Sequence, residues 1–128
     1  MRLILFILCA AVVLLAACGG SDDPFEQVGY YKGDDNLRYF TFYVEGYESA
    51  DRDDLPAELV ALIKEHGSSR VNTDGQVTAS FYYLKPGAAP DITRMSAQRA
   101  NAVAHDRQPV MSVWILPTGR VNVFKNPE

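Results

Sequence analysis

The side chains with most chemistry to offer in this 128-residue chain are two histidines, two cysteines and 16 carboxylates. A catalytic site needs an activated group with partners in reach, so spacing decides what they can do. His105 and Asp106 are adjacent in a segment of helical pattern, where successive side chains point about 100° apart, and they cannot pair with each other. His66 falls in the last turn of a different predicted helix, where a histidine interacts favourably with the carbonyl end of the helix dipole. No Gly-x-Ser-x-Gly elbow, His-Glu-x-x-His pair or phosphate-cradling glycine loop occurs. Asp22, Asp23, Asp34, Asp35 and Asn36 are rich in oxygen, but a calcium loop needs alternating ligands that end on a glutamate, which this stretch lacks. The expectation is a protein that is not an enzyme and holds no metal and no cofactor.

The cysteines point elsewhere. Leu3 to Leu15 is an unbroken run of apolar residues and Cys9 behind Arg2. It is shorter than the about 20 residues of a spanning helix and has the charged and apolar regions of a secretory signal. Leu15-Ala16-Ala17-Cys18 follows at once and resembles the lipobox of bacterial lipoproteins. That resemblance implies that residues 1–17 are a signal peptide removed before Cys18, that Cys18 carries a thioether-linked diacylglycerol, and that its new amine is acylated. Each buried methylene contributes about 0.8 kcal/mol, and two or more chains hold a protein at a bilayer. Gly19, where inner-membrane lipoproteins of enteric bacteria carry Asp, implies sorting to the outer membrane, facing the periplasm, in a Gram-negative cell. With Cys9 removed and Cys18 lipidated, the mature chain has no thiol to pair and no disulfide framework.

Without Arg2, 11 basic residues face 16 acidic ones, a balance of −5. That charge argues against nucleic acid and against a polybasic membrane patch, leaving the lipid as the link to the membrane. Residues 18–36, rich in Gly, Asp and Pro, read as a lipidated N-terminus and flexible tether. Residues 37–128 read as one domain that must hold itself by packing.

Within that domain Leu37 to Val44 is aromatic and β-branched, hence a strand. Asp53-Asp54-Leu55-Pro56 opens a helix in which Leu59, Leu62, Ile63 and His66 recur at helical spacing and Gly67 supplies the stop. Ser69 to Leu84 reads as two strands about the turn Thr73-Asp74-Gly75. A second helix is expected from about Asp91 to Arg107, with Arg99 laying its stem along the core and its head at the rim. Val110–Leu116 and Arg120–Phe124 form a hairpin about Pro117-Thr118-Gly119.

Strand, helix, strand, strand, helix, strand plus one terminal strand is the order of an α+β ferredoxin-like sandwich, with both helices on one face of an antiparallel sheet. Alternation assigns Phe40, Phe42, Val44, Val77, Ala79, Phe81, Met111, Val113 and Ile115 to the covered face. Tyr39, Tyr43, Tyr82 and Trp114 then share an open face. Such a face suits either a protein partner in the envelope, making the chain an interaction module, or a small ligand or glycan that stacks on the rings.

Overall fold

The computed structural model describes residues 23–33, 36–70, 75–85 and 89–125, so the signal segment and Cys18 lie outside the described residues. The chain forms β1 (Phe25–Lys32), β2 (Leu37–Val44), α1 (Ala57–Ser68), β3 (Val77–Leu84), α2 (Ala97–Asp106), β4 (Met111–Ile115) and β5 (Val121–Lys125). The five strands make one sheet in the order β1-β2-β3-β4-β5, antiparallel except where β2 and β3 run parallel. A parallel neighbour needs a crossover, and α1 supplies it.

The α+β class holds, but the arrangement of its layers differs from a ferredoxin-like sandwich. The helices lie on opposite faces. Leu59, Val60 and Ile63 of α1 pack with Phe42, Val44, Tyr82, Leu84, Met111 and Val113, whereas Ala100 and Ala104 of α2 pack with Tyr39, Ala79, Phe81 and Tyr83. The sheet is therefore the middle of three layers, and its strands follow chain order.

Residues 25–32, read above as part of a tether, form an eight-residue strand paired along β2. A bulge at Val28 breaks the strand's alternation. It brings Gly29 against the chain after β3: a Cβ at Gly29 would lie 2.7 Å from the Ile92 amide nitrogen and 2.9 Å from the Pro90 carbonyl oxygen. Only glycine permits that approach. The earlier of the two strands expected between Ser69 and Leu84 is not found at Ser69 and Arg70, which follow α1 as a turn; residues 71–74 lie outside the described residues.

Pro56 sits at the N-cap of α1, and its carbonyl accepts the Val60 amide at 3.1 Å. Gly67 does not end this helix, which runs on to Ser68. Its missing side chain instead lets α1 approach β4, where a Cβ would meet the Val113 Cβ at 2.6 Å. The second helix begins six residues later than its apolar pattern suggests. Asp91 accepts the Thr93 amide at 3.0 Å and so holds a turn, and the Ser96 hydroxyl then caps α2 by accepting the Arg99 amide at 3.4 Å. Arg99 itself is exposed. The C-terminal hairpin forms as expected, with Gly119 at φ +84° in its turn.

Candidate functional site

The four aromatics singled out by alternation do not form one open face. Tyr39, Tyr43 and Trp114 lie on the α2 side, and Tyr82 lies on the α1 side, where Phe42 is its register partner. Tyr82 is fully buried and Tyr39 is 5% exposed, so neither offers a free ring to a partner. The α2 side is closed over β1 and β2 by residues 89–95 as well as by the helix. The Thr41 hydroxyl donates to the Pro90 carbonyl at 2.6 Å, and the Ala89 amide donates to the Tyr43 hydroxyl at 3.0 Å.

Tyr82 serves a different cluster. Its hydroxyl lies 2.8 Å from His66 Nδ1, and the imidazole stacks on Phe25 with ring centroids 4.0 Å apart. Phe42 meets the imidazole edge-on at 4.8 Å and stacks on Tyr82 at 5.3 Å. Burial, reinforced by Arg70, lowers the His66 pKa, while Asp23 opposes the shift more weakly. Burial likewise raises the Tyr82 pKa, keeping its hydroxyl protonated. This cluster ties β1 and α1 to the sheet. His66 does more than meet a helix dipole.

Trp114 lines a cavity. Because β4 and β5 pair in register, Ser112 and Trp114 stand beside Phe124 and Asn122 on the α2 side of the sheet. His105 of α2 forms a further wall, its ring nearly parallel to the indole at 16° with centroids 6.4 Å apart. With Leu116 at one end, these residues line a recess of about 450 Å³, within the range that small-molecule sites occupy. The indole is held in place: Nε1 donates to Ser112 Oγ at 3.2 Å, and Tyr39 and Phe81 meet it edge-on at 6.1 and 5.8 Å.

The recess exists because α2 is short and faces the sheet with Ala100 and Ala104, packing mainly over β2 and β3 and leaving Trp114 half-buried and the β5 edge exposed on this side. Phe124 is consequently 50% exposed. Alternation within Val121-Asn122-Val123-Phe124 was the signal that could have placed Phe124 beside Trp114. His105, on a separate helix, carried no such signal. The lining is mostly apolar, with the Asn122 amide and the His105 ring as polar edges, an arrangement suited to holding a flat group. Among the described residues no cluster of three His, Cys, Asp or Glu could hold a metal ion, and no helix is long and apolar enough to cross a membrane.

Comparison of the chain with family models, with curated proteins and with solved structures gives no match.

Proposed function

We propose that this protein is a bacterial envelope lipoprotein, anchored by lipid on Cys18, that binds a small ligand in the Trp114 recess. The ligand class is a flat aromatic ring or the apolar face of a sugar ring, with a polar edge that meets Asn122 and His105. The observation that carries this reading is the recess itself: a half-buried indole, fixed by a hydrogen bond and two edge contacts, beside a half-exposed phenyl ring. A pre-ordered aromatic wall gives contact area at little further entropy cost on binding.

Trp114 is the only tryptophan, so selectively excited tryptophan emission reports on this site alone. Titration with anilinonaphthalene sulfonate and with the cell-wall disaccharide N-acetylglucosaminyl-N-acetylmuramic acid is expected to give a saturable emission change with at least one of them. Phe124→Ser, which keeps the reporter, should weaken that binding by about tenfold, corresponding to about 1.4 kcal/mol. No saturable change with either probe, or an unchanged affinity in Phe124→Ser, would overturn the assignment. Cys18→Ser should release the chain from the membrane fraction; retained attachment would overturn the anchor.

One further observation favours a second reading, an interaction module. β5 is an edge strand, and Val121 and Phe124 are exposed along it. An extended segment of an envelope protein could add to that edge and place a side chain in the recess. Recovery of a stable protein partner that Phe124→Ser abolishes, with no response to either small probe, would select this reading.

A further inference from the structure

The opposite face carries a second opening, of different chemistry. α1 packs over β4 and β3, which leaves the β2 end of its face less covered. There Arg38, Phe40, Ser69, Arg70 and Thr78 line a pocket of about 320 Å³. Arg38 and Thr78 are register partners on β2 and β3, while Ser69 and Arg70 follow the end of α1.

Three features distinguish this pocket from an ordinary solvated surface. First, it brings two guanidinium groups together in a chain of net negative charge. The two ion pairs among the described residues both belong to Lys85, so neither arginine is paired within 4 Å there. Second, the Arg70 guanidinium is fixed over two rings, 4.5 Å from the Phe40 centroid and 4.7 Å from that of Phe42. Cation–π stacking holds the carbon skeleton in place and leaves the N–H edge to donate. Third, among the described residues two of the buried polar atoms without a hydrogen-bond partner are here, Arg38 Nε and the hydroxyl of Thr78, a residue only 2% exposed. Buried donors left without a partner are costly, and here they border the same opening.

The carbonyl end of α1 would oppose an anion, but its groups are already engaged. The Ser69 amide donates to Glu65, the Arg70 amide to Gly67, and the Ser69 hydroxyl to His66 at 2.7 Å. Asp23 favours the charged form of Arg70 only as a lesser influence, and burial outweighs it. Two guanidinium groups and a hydroxyl supply more donors than the two oxygens of a carboxylate can use, and suit a group with three or four acceptor oxygens.

We infer that this pocket binds a tetrahedral oxyanion, the phosphate or sulfate group of a small soluble molecule, through Arg38, Arg70 and Thr78. The site is separate from the Trp114 recess and stands or falls independently of it.

Isothermal titration of the full chain in non-ionic detergent at low ionic strength, with inorganic phosphate as the probe, tests this. Saturable one-site binding is expected. Arg38→Gln should weaken it about tenfold or more, as loss of a charge-assisted hydrogen bond does. Thr78→Val should also weaken it while leaving the melting temperature unchanged or higher, since the lost hydroxyl had no partner in the free protein. Phe124→Ser, on the other face, should bind phosphate as the parent does. Absence of saturable binding up to about 10 mM phosphate, parent-like affinity in both pocket variants, or equally tight binding of acetate would overturn the inference.

Discussion

The two faces of the sheet solve the same packing problem with opposite materials. On the α1 face, a helix bearing Leu59, Val60 and Ile63 meets Phe42, Tyr82 and Met111, and large side chains fill the layer. On the α2 face the large groups are on the sheet, as Tyr39, Phe81 and Tyr83, and the helix contributes Ala100 and Ala104. Alanine lets α2 sit close, near enough for the Tyr83 hydroxyl to donate to the Ala104 carbonyl. A close, short helix covers less of the sheet, so its face keeps an apolar recess at the β5 edge. The face under the bulkier helix opens near β2, where arginine and hydroxyl groups line the opening. Helix size and position thus set where each face opens, and the strand residues left uncovered set the chemistry of the opening.

That contrast predicts opposite mutational sensitivities. Phe42→Ala should be the most damaging single change, destabilising the protein by about 3–5 kcal/mol in chemical denaturation, because it leaves a cavity beneath Tyr82, His66 and α1. On α2 truncation has little left to remove, and enlargement is the hazard. Ala104→Leu should cost about 1–3 kcal/mol by forcing α2 away from Phe81 and Tyr83, and should alter Trp114 emission through displacement of His105. If Ala104→Leu instead raises stability, α2 is not closely seated and the account of the recess fails. Tyr82→Phe should be milder, about 1 kcal/mol, since the ring remains and only the hydrogen bond with His66 is lost.

The same contrast explains what the residue pattern could reveal. β2, β4, β5 and both helices follow from alternation and helical periodicity, because each has one face that differs chemically from the other. β3 does not: Thr78 to Leu84 is buried throughout, since a helix covers each side. A strand covered on both faces loses its alternation, and Phe81-Tyr82-Tyr83 can then be assigned to either parity. Slipping β3 by one residue exchanges every side chain between faces, and the wrong parity puts Tyr82 with Tyr39, Tyr43 and Trp114. β1 was hidden for another reason, because its bulge interrupts the pattern and glycine and aspartate surround it. Trp114 was legible as a candidate because its strand has a distinct polar parity. The Arg38 and Arg70 pocket was not, because 31 intervening positions separate two residues that are brought together only where the turn after α1 lays Arg70 over Phe40 and Phe42 of β2.

The smallest predicted effect tests the α1 face through its one partly buried imidazole. Burial holds His66 below its ordinary value, Arg70 adds to the shift, and Asp23 opposes it. In the unfolded chain the imidazole titrates near pH 6.5. As pH falls through that value, the unfolded state takes up a proton before the native state does, so stability rises with pH across this window and is lost on acidification. Denaturation midpoints should therefore fall between pH 7 and 5. His66→Gln, which has no charge to acquire, should flatten that part of the dependence. The carboxylates still titrate at lower pH in both proteins, so the comparison lies in the slope above pH 5. An equal slope in parent and variant would show that the stack of Phe25 on His66 does not hold the imidazole neutral.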